Sequence, residues 1–412
     1  MTKYHKLRFF ILFCCVIVST AFALAQATTG GIPPEATQFS DKPEYAILLI
    51  IDGLSFESWQ RIELPIMKKM IQEGALVERL YIPSAAHPRS GAYSELHTSS
   101  IPNPVMMAGS VFINKGTKYL QDSFFPDRPI AFIANSTQYN TLAVNYSVIV
   151  QRDTSDEWAV ERSLAVIESD HPAFLRLHLQ DVGAAGQQSL FDEGSMPWRF
   201  NIWAAGSPYR KAMIKADSLI GQIIDGLRRM GILNKTVLFI LGDHGQHGSG
   251  WHPPDYEESA ITTMIVWGAG GEAGIKLDYA ELTDVAPTVA AVMNVPPPST
   301  ANGRILNELI RAKHEAASSR RPLMKELVSQ LTKYRSLLPA ALRDAQELPQ
   351  GQRALAIVRV NGLVREQFYD EYRFVEWPRF QTLEELVNHN GRILRQLQQL
   401  VEEFEASKGG KL

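Results

Sequence analysis

The sequence predicts an α/β fold: a mostly parallel central sheet with helices on both faces, followed by a C-terminal helical appendage. Three observations carry this. Short, wholly apolar runs such as Tyr45-Ala-Ile-Leu-Leu-Ile-Ile and Thr236-Val-Leu-Phe-Ile-Leu read as strands buried on both faces, as in parallel sheets. Between about residues 44 and 305 such runs alternate with helical periodicity, the pattern of strand–helix–strand units. Beyond Arg304 the composition shifts to Leu, Glu, Lys, Arg and Gln with long helical periods over residues 305–345 and 379–407.

Taken in order, residues 1–25 form a signal peptide. Lys3, Lys6 and Arg8 precede an apolar stretch over residues 9–22, and Ala23-Leu-Ala25 fits a small-x-small cleavage pattern. The protein is therefore expected to be exported, to a periplasm or the outside. Both cysteines, Cys14 and Cys15, fall in this peptide, so the mature chain has neither a disulfide nor a thiolate nucleophile. Phe13 is too large for a lipid-attachment motif. Residues 26–43, rich in Thr, Gly and Pro, read as a linker into a body spanning 44–309. Strands are expected at 45–51, 76–82, 130–134, 174–179, 236–241 and 262–267. The clearest helix has Ser207 as N-cap and Pro208 at its first position, with Ala212, Ala216, Leu219, Ile220, Ile223, Ile224 and Leu227 at helical spacing. Residues 310–412 form the helical region, in which residues 354–360 read as either a strand or a buried helical turn. A lid, a dimerisation arm and a partner-binding stalk are all open roles for it.

With 45% hydrophobic and 21% charged residues among 412, the chain is an ordinary globular one, large enough for a substantial core. Its formal charge of -3 becomes more negative once the signal peptide is removed, which argues against nucleic acid as a main partner. No stretch after residue 25 is long and apolar enough to span a bilayer.

The chemistry concentrates at strand ends. The first strand runs into Asp52-Gly53 and the strand at 236–241 into Gly242-Asp243-His244-Gly245. In open α/β sheets ligands sit outside the carboxyl ends of the strands, so Asp52, Asp243 and His244 are candidates for one metal site. Asp181 follows the strand at 174–179 and His252 lies in Gly250-Trp-His-Pro, candidates for a second metal; two ions can clamp the attacking and leaving oxygens of a displacement. Ser100, in Ser99-Ser-Ile-Pro-Asn103, is a candidate nucleophile that a metal would activate, or equally a helix N-cap with Pro102 following. A mid-strand His178 reads more readily as a core residue.

These motifs together resemble the alkaline phosphatase superfamily, nearest its nucleotide pyrophosphatase/phosphodiesterase and phosphoethanolamine transferase-like branches. Ile50-Ile-Asp52-Gly53, Ser100-Ile-Pro-Asn103, Gly242-Asp-His-Gly245, Gly250-Trp-His252 and Thr283-Asp-Val-Ala-Pro-Thr288 carry the likeness, with the helix from Ser207 to Asp217. The resemblance implies that Asp52, Ser100, Asp243 and His244 hold the metal nearest the nucleophile, and that Asp181 and His252 hold another. It implies one or two divalent ions, zinc by expectation, and aligns Asn114 with a residue that hydrogen-bonds a substrate oxygen. One departure stands out: the family pattern Asp-x-x-Gly-His places a ligand four residues after the Asp, where this chain has Ala185, leaving Gln187, His247 or His178 to compensate.

The activity so implied is a phosphoester hydrolase or transferase, with Ser100 forming a covalent phospho-enzyme. Its substrate would be a small-molecule or lipid-headgroup phosphoester. Few basic residues near Ser100 (Arg89 and Lys115) favour a diester over a monoester. The sulfatase variant of the motif carries an arginine where Pro104 stands, which counts against it; a sulfoester-cleaving relative is kept as an alternative. A degenerate body serving as a binding or scaffold protein is another, with the C-terminal helices mediating oligomerisation or partner contacts. Trp198 and Trp251, in loops, either cover a domain edge or line a pocket for an apolar leaving group.

Overall fold

A computed structural model describes residues 38–83, 88–102, 111, 113, 116–124, 128–191, 194, 196–253, 256–314, 321–364, 368–370, 373, 379 and 383–409. The expected signal peptide, most of the expected linker, and Asn114 therefore lie outside the described residues. Residues Phe39–Leu412 belong to one compact unit.

A nine-stranded mixed sheet organises the body. Its strands are β1 (Tyr45–Ile51), β2 (Ala75–Tyr81), β3 (Ile130–Ala134), β4 (Val148–Gln151), β5 (Phe174–Leu179), β6 (Thr236–Leu241), β7 (Ile261–Gly268), β8 (Ile275–Leu277) and β9 (Ala280–Glu281). The order is β4-β3-β5-β1-β6-β7-β2-β8, with β9 beside β2. From β4 to β6 every pairing is parallel. The reversed strand is β7, antiparallel to both β6 and β2. The six expected strands all form, within a residue or so of their expected limits. Those not anticipated, β4, β8 and β9, have two to four residues, too few for a periodicity to register.

Why the central strands lack an amphipathic pattern is plain from their packing. In β1, Ala46, Leu48 and Ile50 join one core and Ile47, Leu49 and Ile51 the other; alternate side chains point to opposite faces, and both faces are covered. The first core takes in α2 (Pro88–Thr98) and α6 (Val285–Val292). The second takes in α1 (Pro65–Glu73), α3 (Asp156–Asp170) and α5 (Pro208–Arg229). The α5 start is as expected: Ser207 Oγ accepts from Arg210 N at 3.1 Å, with Pro208 next. From α5, Asp217 caps a different helix, accepting from Ile66 N and Met67 N at the start of α1 at 3.1 and 2.8 Å, which satisfies two otherwise unpaired amides. One further helix, α4 (Asp181–Phe191), follows β5 directly.

The C-terminal region contains α7 (Arg321–Glu347), α8 (Gln350–Val364) and α9 (Leu383–Gly409). Residues 354–360, open between strand and helix in the sequence, are helical within α8. Two small apolar clusters hold these helices together. One of them, containing Leu327, Leu331, Phe368 and Leu386, also packs against Ile101 of the body. Among the described residues no helix is long and apolar enough to cross a membrane.

Candidate metal centre

Register brings the chemistry together. Ile50 pairs with His178 of β5 and with Leu241 of β6, so the three adjacent strands end level and Asp52 and Asp243 emerge side by side. Both are buried. Gly53 turns the chain with φ +66°, a conformation that favours glycine, and its N–H comes back to donate to Asp243 Oδ1 at 3.1 Å. His244 N donates to the same oxygen at 3.0 Å. The remaining oxygen of each carboxylate is tied by a tyrosine from elsewhere in the fold. Tyr93, on α2, donates to Asp243 Oδ2, and Tyr139, in the turn after β3, donates to Asp52 Oδ2 at 2.8 Å. On the far side of Asp52 lies Gly183 of α4, where any Cβ would sit 1.8 Å from Asp52 Oδ1.

The donor set fits a divalent cation. His244 Nδ1 is 2.7 Å from the Gly245 carbonyl. A carbonyl only accepts, so Nδ1 carries the proton and Nε2 presents a lone pair. That Nε2 is buried without a hydrogen-bond partner, 3.6 Å from Asp52 Oδ1 and 3.8 Å from Asp243 Oδ1. Two buried carboxylates and an orphaned imidazole nitrogen are costly to hold together without a positive charge between them. A backbone carbonyl fixing the ring by its other nitrogen is the usual support of a histidine ligand.

His178, which the sequence reads as a core residue, is brought to the same place. Its ligand atom and those of Asp52 and Asp243 lie within 4.8 Å of one another, the one such group among the described residues. Its Nε2 is 3.8 Å from Asp52 Oδ2. Beside it in β5, the fully buried Arg176 reaches His178 Nδ1 through Nη2 at 3.1 Å and His97 Nε2 through Nε at 3.4 Å, and it stacks on Phe132. Burial, reinforced by the Arg176 charge, holds the His97 pKa well below the usual imidazole range. Burial lowers that of His178 as well, against the pull of Asp52.

The pair expected at a second metal stands outside this group. Asp181 carries an ion pair with Lys215 at 2.9 Å and accepts from Asn135 Nδ2 at 3.4 Å, while Lys215 also reaches Glu157 at 2.6 Å. Its neighbour Asp156 is pushed up to about 7 by burial first and by the Asp181 charge second. His252 is buried against His244, ring centroids 4.2 Å apart, and stacks on Trp251 at 4.1 Å. Trp251 itself has φ +66° and meets the exposed Phe191 edge-on. Gln246, fully buried, has neither amide atom hydrogen-bonded and lies against Gly53 and Gly186.

Ser100 is buried just beyond the C-terminus of α2, the helix that carries Tyr93. Its neighbours are anchored on both sides. Ser99 Oγ donates to the Thr283 carbonyl at 2.5 Å and accepts from Gly303 N at 3.0 Å. Ile101 N donates to Asn302 Oδ1 at 3.2 Å. The motif Thr283-Asp284 thus has a structural task. It receives Ser99, while Asp284 closes its own turn on Glu281 N at 2.9 Å and holds Arg304 N at 2.8 Å. Asn103, Pro104, Asn114, Lys115 and the Arg89 side chain lie outside the described residues.

The chain is similar to several known proteins. A sulfatase family model matches residues 110–295, a span containing Asp243 and His244. Arylsulfatase K of Bos taurus is 28% identical over 100 residues, 23% of this chain and 18% of that protein. Arylsulfatase K of Homo sapiens is 26% identical over 123 residues, 28% of this chain and 23% of that protein. The matched stretch is thus about a fifth of the length of these relatives. The fold is that of the phosphonate monoester hydrolase from Silicibacter pomeroyi, at a TM-score of 0.53 and 14% identity over 64% of this chain and 76% of that one. It is shared with a 2-O GAG sulfatase, at 0.52 and 12% over 66% and 76%.

Proposed function

We propose that this member of the alkaline phosphatase superfamily is an exported metal-dependent hydrolase of phosphodiesters, acting through Ser100. The observation that carries the reading is the buried, unpartnered Nε2 of His244 facing Asp52 and Asp243. Asp52, Asp243 and His244 would hold a divalent cation, with Ser100 as a further oxygen ligand by the superfamily pattern. A bound cation would supply Lewis acidity and neutralise charge at the transferred group. The chain's own residues do the rest. Tyr93, Tyr139 and two backbone amides fix the carboxylates before substrate arrives. The anchors on Ser99 and Ile101 hold Ser100 in place, so that little orientation remains to be acquired in the reaction. Ser100 Oγ attacks phosphorus as the bond to the leaving alcohol breaks, and water then cleaves the phosphoserine. Residues 44–309 would be the catalytic body and 310–412 a helical buttress reaching it through Ile101.

One divalent ion balances the two carboxylates, and Arg176 adds a single further positive charge that is engaged with His178 and His97, which favours a group bearing one negative charge. A sulfate monoester meets the same requirement. The family-model match and the arylsulfatase K relatives favour that second reading. A panel of aryl phosphodiesters, phosphate monoesters, phosphonate monoesters and sulfate esters, each offered with manganese, calcium, magnesium and zinc, decides between them. Diester turnover lost in Ser100→Ala is the expected result. Sulfate-ester turnover without diester turnover selects the second reading. No turnover by metal-loaded protein rejects both in favour of a binding protein.

A further inference from the structure

Arg176 and His178 lie two residues apart in β5 and so share a face of the sheet. Both are fully buried, and Arg176 Nη2 lies 3.1 Å from His178 Nδ1. A guanidinium has five donors and no acceptor, so Arg176 donates and Nδ1 accepts. A neutral imidazole has one proton, which is thereby placed on Nε2. That N–H lies 3.8 Å from Asp52 Oδ2, too far for a hydrogen bond, and like His244 Nε2 it is buried without a hydrogen-bond partner; but a protonated nitrogen has no lone pair to give a metal. His244 is the mirror case: the Gly245 carbonyl keeps its proton on Nδ1 and frees Nε2. The two imidazoles beside the carboxylates are held in opposite tautomers by neighbours of opposite hydrogen-bonding character. We propose that Arg176 sets the metal preference of this centre by keeping His178 a proton donor and out of the ligand set.

The inference rests on Asp52, Asp243 and His244 being the metal site. With His178 excluded, the ligands are two carboxylate oxygens and one imidazole nitrogen; a second imidazole nitrogen would shift the set toward zinc and away from oxygen-preferring ions such as calcium. Arg176 is a positioning residue here. It acts through His178, and its guanidinium rests on Phe132 and His97 rather than on the reacting atoms.

The first test is spectroscopic. Long-range proton–nitrogen correlation spectra of the 15N-labelled full chain, with His178→Gln to identify the resonance, report the tautomer of each ring. His178 protonated on Nε2 and His244 on Nδ1, with and without calcium, is the expected result. His178 protonated on Nδ1 overturns the proposal. The second test is Arg176→Met, which frees Nδ1 to take the proton and turns the Nε2 lone pair toward the carboxylates. By titration calorimetry the ratio of zinc to calcium affinity should rise at least tenfold, and return to the parent value in Arg176→Met/His178→Gln. An unchanged ratio in a single variant of native circular dichroism, or an equal rise in the double variant, also overturns it. Should Arg176→Met fail to fold, the parent spectra still decide. A parent chain that binds no divalent ion removes the metal-site reading instead, leaving the tautomers to be read separately.

Discussion

Gly183→Ala is the sharpest probe of the centre. A methyl group there would lie 1.8 Å from Asp52 Oδ1, 2.6 Å from its Cγ and 3.2 Å from its Cβ, when real contacts stay above 3.0 Å. Rotating the carboxylate moves Oδ1 but leaves Cγ too close, and Oδ2 is already tied to Tyr139 at 2.8 Å. Asp52 itself leaves the central strand of the sheet. Either the carboxylate or the start of α4 must therefore retreat by about 1 Å, and displacements of that size cost on the order of 100-fold where geometry matters. Overpacking of this kind costs about 1–3 kcal/mol of stability. The variant should fold, lose that much in urea denaturation, and bind calcium or manganese roughly 100-fold more weakly by calorimetry. Gly362→Ala is the control: its Cβ meets nothing within 4 Å on α8, so metal affinity should not change while the helix gains about 0.8–1.0 kcal/mol at most. Parent-level metal affinity in Gly183→Ala would refute the claim that Asp52 is held against α4 as a ligand.

Tyr93→Phe and Tyr139→Phe should each weaken metal binding by about 10–100-fold, the usual effect of removing a ligand's outer hydrogen bond, with melting measured alongside to separate affinity from folding. Chelation should lower the melting temperature, and restoring the ion at about 100 times its dissociation constant should return about 2.7 kcal/mol; identical melts with and without chelator contradict the metal reading. Asp156 supplies a pH prediction. Its pKa rises from 3.8 to about 7 because burial and the charge of Asp181 disfavour ionisation, so its contribution to stability is present below about 4 and is lost as pH climbs through about 7. Asp156→Asn keeps the acceptor that receives Asn135, Gln180 and Asp181 but does not titrate. Its urea midpoint should gain on the parent between pH 4 and pH 8, and a pH-independent difference would exclude this account.

Much of the centre is readable in the sequence because strand ends are readable. Asp52 and Asp243 follow apolar runs that can only be central strands, and His244 comes with Asp243. His178 is less legible for a physical reason. A strand buried on both faces shows no alternation, so nothing local says which face carries function. The spacing of Arg176 and His178, two charge-bearing residues on one face of an apolar strand, is the signal that was there to use. Tyr93 and Tyr139 reach the carboxylates from a helix and a turn distant in sequence, and no local pattern encodes such a meeting. Asp181 illustrates the converse. Its place at a strand end is legible, but its contacts with Lys215, about two turns into α5, and with Asn135 are not.

The order of the sheet also bears on how the protein comes to exist. The strands that deliver Asp52, His178 and Asp243 are neighbours in space, yet β1 ends at residue 51, β5 at 179 and β6 at 241. Contacts between such remote segments carry a large loop-closure entropy and form slowly. As the chain lengthens from its N-terminus, β1 must wait for β5 and then for β6, the last to arrive at the middle. Until β6 pairs, Asp52 has no companion carboxylate and β1 is left as an open strand edge, so a metal ion cannot serve as an early template. The centre is a late product of folding, and its capacity to bind a cation reports that the middle of the sheet has closed.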